Sequence, residues 1–456
     1  MTEYRDQFLE AFVGAKLFNM DNLANVGVMI TATAMSYCIA SAIYNVFFHP
    51  LRSFPGPVLF RSTALLKAYH NIRGDMGYRV KELHEKYGPV VRISPNEQKW
   101  EGFCAFKGLS SHRSIVTAHR EEHSLLRRQL SHGFAERSMQ AQEPFIRGYV
   151  DLLILQLHEH AKGGAEALDL KQWVSWTTFD IVGNLAFGSD FGSLETAEDD
   201  PWVRMVAENI RTVAVMQSIS ALGFGDMVSW VNKMGLIPSH AEHEKRTRQK
   251  MVKRMQMDAE RPDLIEGLSL ESVQSNASAL IVAGSETTAT LLSGAIFLLT
   301  SNPDKLQKLQ EEVRSAFNNE DEITLISVQR LSYMLACLDE ALRCYPPTVV
   351  AVWQWAINRD PTLWTDPDEF VPERFMGDPK FANDNFQSLQ PFSLGPRNCL
   401  GRNLAYSEMR LILARIVYNF DMKLSETSKD WLRTQKAYFV WHKPRLNVHL
   451  FPVSRH

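Results

Sequence analysis

Cysteine is scarce in this 456-residue chain, and the scarcity excludes several classes of protein. The five cysteines, at positions 38, 104, 337, 344 and 399, are odd in number, widely separated and include no CxxC pair. That pattern argues against a disulfide framework and against a structural zinc site, and it favours a reducing compartment. Internal repeats, low-complexity tracts and Ser/Gly linkers are also missing from the sequence, so nothing in it marks a boundary inside a large globular domain.

Net charge is also low, at −3, with 22% charged and 45% hydrophobic residues. Such a balance gives no reason to expect nucleic acid or an acidic surface as the main partner. The hydrophobic fraction is that of an ordinary globular protein with a sizeable core.

Charged residues and histidine are absent altogether from Leu23 to Phe48, and about 20 such residues suffice for a membrane-spanning helix. A cleaved signal peptide is the alternative, but it needs a cationic start and an apolar run of roughly 7–15 residues. Residues 1–22 instead carry four acidic and two basic side chains, whereas the first charges after the stretch are basic. The positive-inside rule then predicts a lumenal segment 1–22, an uncleaved anchor 23–48 and a cytosolic domain 49–456. An endoplasmic reticulum membrane is the expected location.

The rest of the chain reads as mainly α with a small β region. Pro55 and Pro57 around Gly56 predict a stiff turn after the anchor, and the β-branched residues 90–94 predict a strand. From about Arg120 onward, apolar residues recur at helical spacing in most segments. One large helical domain is the predicted architecture.

Residues 392–402, FSLGPRNCLGR, are the most informative segment. A thiolate that binds haem iron needs a rigid loop, and glycines such as Gly395 and Gly401 allow close backbone approach and positive φ. Neighbouring N–H groups then tune the sulfur of Cys399, and Phe392 shields it from water. Arg397 is placed to pair with a haem propionate. A buried structural cysteine in a Gly-Pro turn is the alternative interpretation.

Every fixed position of the pattern FxxGxRxCxG is met here, and the segment resembles the haem-binding loop of the cytochrome P450 family. The resemblance implies a P450 fold and haem b with Cys399 thiolate as its axial ligand. It also implies insertion of one oxygen atom from O₂ into an apolar small molecule. Electrons would come from a separate NADPH-dependent flavoprotein reductase, because the chain holds no flavin or nicotinamide domain. The wording of residues 91–97 and 178–181 is similar to that of filamentous-fungal members of secondary metabolism.

A second motif, AGSETT at 283–288, interrupts an apolar helix from about residue 271 to 300. An acid beside a hydroxyl, next to a helix distortion at glycine that makes room for O₂ and water, provides a proton relay. The segment resembles the [AG]-G-x-[DE]-T-[TS] motif of the same family, which assigns proton delivery to Glu286 and Thr287. The alternative is that the threonine only hydrogen-bonds back to the carbonyl four residues earlier.

Charged pairs support the same resemblance. Glu340 and Arg343 share a helix face at i, i+3, and with Arg374 they resemble the family's structural Glu–Arg–Arg network. The pattern alone is weak, because residues 311–314 match it equally well and are expected to form an exposed helix pair.

A further basic pair, His123 and Arg127, lies at i, i+4 and matches the helix whose side chains reach the haem propionates. A solvated basic helix is the alternative for this pair. Arg128 and Arg402 are expected as docking charges for an acidic reductase.

Three segments, at 96–122, 262–271 and 347–372, are shorter than the family pattern. The last normally lines the substrate pocket and brings a basic residue to a propionate. Two other functions therefore stay open: a P450-like protein without haem, or one whose gene model omits exons, and a haem-thiolate isomerase or dehydratase that needs no reductase. Retention of Glu286 and Thr287 counts against the isomerase.

Overall fold

A computed structural model describes residues 20–95, 114–234, 249–250, 252, 254, 264, 276, 279–347, 353–438 and 440–454. By contacts the chain forms two compact units. One comprises Met1–Lys67 and Tyr87–Gln98, and the other Ala68–Lys86 and Lys99–His456.

The uncharged N-terminal stretch is helical. Helix α1 (Met20–Ile43) continues into a π-helical turn, Tyr44–Phe48. The span Ala24–Phe48 has a mean hydropathy of 1.7, and none of it is buried against protein. A helix whose apolar side chains are mostly exposed matches a membrane anchor better than a core element.

In the same unit, the proline turn leads into α2 (Val58–Ser62). A Cβ at Gly56 would lie 2.5 Å from the carbonyl oxygen of Arg92, so only glycine fits this close approach. The Arg92 N–H donates to Pro55 O at 2.7 Å.

The strand predicted for residues 90–94 is wrong: the segment is extended but pairs with no strand in the described part of the chain. A β-branched run forms a strand only where a partner strand lies beside it, and here the neighbour is the proline turn.

Helices make up most of the remaining chain, as the sequence predicts. They are α3 Leu65–Arg73, α4 Met76–Tyr87, α5 Arg120–Leu130, α6 Glu136–Ala161, α7 Leu170–Phe187, α8 Ser193–Thr196, α9 Pro201–Ile219, α10 Gly225–Lys233, α11 Thr287–Ser301, α12 Pro303–Ala316, α13 Ser332–Cys344, α14 Gln354–Ile357 and α15 Arg402–Asn419.

Two small sheets form the β region. Strands β1 (Ala167–Asp169), β5 (Asn447–Pro452) and β2 (Phe420–Leu424) make one antiparallel sheet in the order β1-β5-β2. Strands β3 (Lys436–Ala437) and β4 (Trp441–His442) make an antiparallel pair. The C-terminal sequence therefore folds back onto the helices.

The core lies where α7, α11 and α15 pack together, and each of these helices is buried on nearly all sides. Every residue from Thr288 to Thr300 is buried. The segment Ala279–Ser301 is also long and apolar enough to cross a membrane, but 78% of it is buried. Burial identifies it as a core helix, and it carries the AGSETT motif at its N-terminal end.

Candidate active site

The cysteine loop is closed by its own backbone just before α15 begins. The Cys399 N–H donates to Phe392 O at 2.9 Å, and the Asn398 N–H donates to Gly395 O at 3.0 Å. Gly395 has φ +79°, the left-handed region that favours glycine. Gly401 has φ −85°, a value that any residue can adopt. The prediction of a positive φ is therefore confirmed for Gly395 and wrong for Gly401.

Cys399 is an exposed residue. Surrounding protein atoms raise the pKa of the thiol, whereas the Gly401 N–H and the charges of Arg127 and Arg402 act to lower it, and the net shift is upward. A thiol of this kind is a protonated group that a metal ion would convert to thiolate on binding.

Phe392, half-buried, lies at the start of the loop. Its ring packs against Tyr406 with centroids 5.2 Å apart, and the Arg402 guanidinium lies 5.6 Å from its centroid. These contacts fix the loop to the first turns of α15.

Three basic side chains converge beside this loop. Arg127 of α5 donates to Asn398 O at 2.7 Å, and Arg397 donates to Ala118 O at 2.7 Å. Burial, and then the positive charges of Arg397 and Arg127, lower the pKa of His123. In the described part of the chain none of the three pairs with a carboxylate, so the cluster retains positive charge for an anionic ligand.

The AGSETT motif forms a π-helical turn, Val282–Glu286, that leads into α11. Such turns often mark functional sites. The Thr178 hydroxyl of α7 donates to Ser285 O at 3.1 Å. The distortion predicted at glycine is therefore present, but a Cβ at Gly284 would meet Val182 at 3.1 Å. Gly284 thus allows α7 to pack closely, rather than making room for a ligand.

Thr287 is half-exposed, and its hydroxyl donates to Ala283 O at 2.6 Å. The back-bonded geometry of the alternative interpretation is therefore present. The hydroxyl oxygen can still accept a hydrogen bond, so this geometry does not remove Thr287 from a proton relay.

Glu286 is 7% exposed, and its Oε1 forms an ion pair with Lys443, a residue that sequence reasoning missed. Lys443 also donates to the Thr290 hydroxyl at 2.7 Å. No local signal identifies this lysine, because it lies 157 positions along the chain from Glu286.

The Glu–Arg–Arg network is formed and buried. Arg343 donates to both oxygens of Glu340, at 2.7 and 2.8 Å, and Arg374 lies 3.4 Å from the same carboxylate. Arg374 also pairs with Asp384, which the sequence did not indicate. Two acids thus balance two guanidiniums, as buried charges require. The network ties α13 to the 3₁₀ helix Pro372–Met376.

The second ExxR match, at 311–314, is not the exposed pair that was expected. Glu311 is exposed and accepts from the Gln307 side chain of its own helix at 2.9 Å. Arg314 instead pairs with Asp421 at 2.8 Å and donates to Val417 O. The arginine thus satisfies an orphan carbonyl near the end of α15 rather than pairing with Glu311.

With this geometry established, comparison with known proteins identifies the family. The family model described as Cytochrome P450 matches residues 99–350 and 348–450. The chain belongs to the cytochrome P450 family. Cytochrome P450 monooxygenase 1 of Neocamarosporium betae is 44% identical, over 94% of this chain and 98% of its own length. The trichothecene C-15 hydroxylase of Fusarium sporotrichioides is 39% identical, over 92% and 97%. The protein is thus a P450 monooxygenase, an oxidoreductase, and the predicted resemblance to fungal secondary-metabolism members is confirmed.

The alignment with the Neocamarosporium relative bears on the shortened segments. It is 479 positions long, but it includes only 94% of the 456 residues of this chain, which is about 429. About 50 positions of the relative are therefore aligned with no residue of this chain. The two stretches of the family match meet near residue 350, inside the predicted shortening at 347–372. Of the three segments predicted to be short, 96–122 and 262–271 lie largely outside the described residues, and so does the start of 347–372.

Family membership implies haem with cysteine thiolate ligation, and the side chains described here fit that group. Cys399 offers an exposed thiol, Arg127 and Arg397 offer positive charge without acidic partners among the described residues, and His123, whose pKa is lowered by burial and by these two arginines, offers a neutral imidazole. Soft thiolate and paired cations are the donor set that a ferric porphyrin with two propionates requires.

Proposed function

We propose that the chain binds haem b through the thiolate of Cys399 and inserts one oxygen atom from O₂ into an apolar small molecule. The observation that carries the proposal is the position of the Cys399 sulfur. Cys399 is exposed, the Gly401 N–H acts to lower the pKa of its thiol, and the adjacent Asn398 is bonded by Arg127, which pairs with no carboxylate in the described part of the chain. Phe392 and Gly395 set the loop, while His123, Arg127 and Arg397 hold the propionates.

The bound haem would supply the reductive activation of O₂, and the chain's own residues would manage protons and access. Glu286 ends the π-helical turn, and the half-exposed Thr287 directly follows it in the sequence and carries the hydroxyl. A relay through Thr287 requires its hydroxyl oxygen to accept a hydrogen bond from the proton donor. The hydroxyl hydrogen is used in the bond to Ala283 O, and the lone pairs of the oxygen stay available for this role.

Partners and location follow from charge and hydropathy. Arg128 and Arg402 are exposed and would meet the acidic surface of an NADPH-dependent flavoprotein reductase. The outward-facing span within 23–48 would anchor the chain in the endoplasmic reticulum membrane, with 1–22 lumenal and 49–456 cytosolic. An apolar fungal metabolite is the substrate class that the trichothecene hydroxylase relative supports.

A second function, a P450-like protein that retains no haem, is favoured by one observation. About 50 positions of the Neocamarosporium relative have no counterpart in this chain. Loss of a segment that binds a propionate would weaken haem retention. The isomerase alternative gains no support, because Glu286 and Thr287 are both present.

The carbon monoxide difference spectrum of the reduced, purified protein tests the proposal. We expect a strongly red-shifted Soret band that disappears in Cys399→Ala, because only thiolate ligation gives that band. Cys38→Ala is the matched control, since Cys38 is also an exposed thiol but lies in the anchor. A folded protein without haem would support the second function. A red-shifted band that survives Cys399→Ala would contradict the assignment of the ligand.

A further inference from the structure

Lys443 is the lysine that, among the described residues, pairs with the acid of the AGSETT motif. It lies in the turn between β4 and β5, its side chain is only 4% exposed, and its ammonium contacts Glu286 Oε1. A lysine is almost never this deeply buried unless it is paired. The C-terminal turn therefore completes an ion pair inside the core.

The pair also fixes which way the carboxylate points. Lys443 donates to Thr290 Oγ1 at 2.7 Å, and Thr290 follows Glu286 by four residues, so both lie on one face of the helix. Thr287 follows by one residue and is turned by about 100° from that face. The ammonium thus holds Glu286 Oε1 on the Thr290 side, while Oε2 accepts no hydrogen bond from a described residue.

We propose that Lys443 is a positioning residue for proton delivery: it anchors Glu286 by Oε1, so that Oε2 is the oxygen that exchanges protons with the site. Without this cation nothing in the ion pair would hold the buried side chain in place, and the carboxylate would turn toward solvent. The ammonium that holds Glu286 also bonds the Thr290 hydroxyl, so the pair is tied to the next turn of the same helix. Lys443 is the cation that the structure places on this carboxylate.

The inference rests on the proposed function, and haem content separates the two. Lys443→Met and Lys443→Arg would be compared with wild type after each has shown a red-shifted carbon monoxide band. Because the haem ligand lies on another element, we expect the band in both variants. Absence of the band from the wild type itself would count against the proposed function, and the stability measurement below would still test the pair.

The first readout is the yield of product per NADPH consumed. We expect Lys443→Met to lower that yield severalfold and to raise the solvent deuterium isotope effect on product formation, because a misplaced acid makes proton delivery slower. Lys443→Arg should restore most of the yield. Lys423→Met is the matched control, since Lys423 is exposed on β2. Wild-type yield and isotope effect in Lys443→Met would overturn the inference.

The second readout needs no turnover. Melting temperatures of Lys443→Met, Glu286→Gln and the double variant form a thermodynamic cycle. We expect each single variant to have a lower melting temperature than wild type. The decrease in the double variant should be clearly smaller than the sum of the two single decreases, because the second change removes the group left unpaired by the first. Additive losses would contradict a direct pair. Should Lys443→Met fail to fold, Lys443→Gln enters the same cycle.

Discussion

At the scale of single residues, Glu408 is a carboxyl that the predicted chemistry does not use. It is fully buried on α15. The Thr288 hydroxyl acts on its pKa, but that hydroxyl donates to Gly284 O at 3.0 Å. Neither oxygen of Glu408 therefore has a well-aligned donor among the described residues. Burial raises the pKa of Glu408 well above its ordinary value of 4.5, and the Thr288 hydroxyl opposes the shift only weakly.

This raised pKa makes stability depend on pH in a definite direction. The folded chain keeps a proton on Glu408 that the unfolded chain releases above about pH 4.5, so the stabilisation is fully present at low pH and declines as pH rises toward the folded-state pKa. Glu408→Gln does not titrate. We expect the difference in unfolding free energy, variant minus wild type, to increase by about 1.4 kcal/mol per pH unit in that window.

Denaturant unfolding at pH 6, 7 and 8 measures this dependence. Glu159→Gln is the control, because Glu159 is exposed on α6 and should show no such trend. A difference for Glu408→Gln that stays constant with pH would mean that Glu408 is ionised in the folded protein.

Residue patterns predicted Cys399 as the haem ligand and singled out Glu286 and Arg374, but not the residues that balance the charges of Glu286 and Arg374. Cys399 stands out because fixed glycines and an arginine surround it within ten positions. Lys443 and Asp384 did not stand out, since each meets its partner only through the tertiary fold, and a single lysine or aspartate has no local signature. At Gly401 the motif predicted a positive φ that the structure does not have.

At the scale of elements, helices were predicted well because their apolar spacing and their stops are local. Helix α13 ends at Cys344, directly before the Tyr-Pro-Pro sequence at 345–347. The strand at 90–94 failed because pairing depends on what lies beside it. For the AGSETT motif the sequence predicted a helix distortion but not a π-helical turn, because the contact of this turn with α7 cannot be seen in the helix sequence.

Packing between elements leads to a prediction at Gly294 of α11. A Cβ there would lie 2.1 Å from Cδ1 of Tyr345, and Tyr345 is fully buried against Trp431 and Trp441. Because the ring cannot move aside, we expect Gly294→Ala to destabilise the protein by about 1–3 kcal/mol, despite the better helix propensity of alanine. Denaturant unfolding measures the change.

The matched control is Gly148→Ala on α6, where an added Cβ meets nothing within 4 Å. That variant should gain about 0.5–1 kcal/mol. A similar gain at Gly294 would show that the ring yields and that this helix contact is loose.

At the scale of the whole molecule, the sequence indicated the anchor, the large helical domain and the order of its motifs. It did not indicate that residues 49–67 and 87–98 would form one compact unit with the anchor helix. That grouping arises from buried polar contacts between segments far apart in sequence, which no periodicity reveals. It decides where the anchor can be removed.

Arg92 is the centre of that unit, with 2% exposure. Its guanidinium donates to Asn45 O at 2.9 Å and to Pro95 O at 2.8 Å. The Asn45 side chain in turn donates to Ser62 O at 3.0 Å. The π-helical turn after α1 therefore belongs to the folded unit, even though it continues the apolar span.

We predict that a chain beginning at Tyr44 is more stable than one beginning at His49, by about 1–3 kcal/mol. The shorter chain leaves the buried Arg92 guanidinium without one of its acceptors. Both chains lack α1, so denaturant unfolding compares them in the same detergent-free buffer. Asn45→Ala in the longer chain keeps the backbone acceptor and loses only the bond to Ser62 O, and it should fall between the two. Equal stability of all three would mean that Arg92 finds another acceptor and that the unit ends at α2.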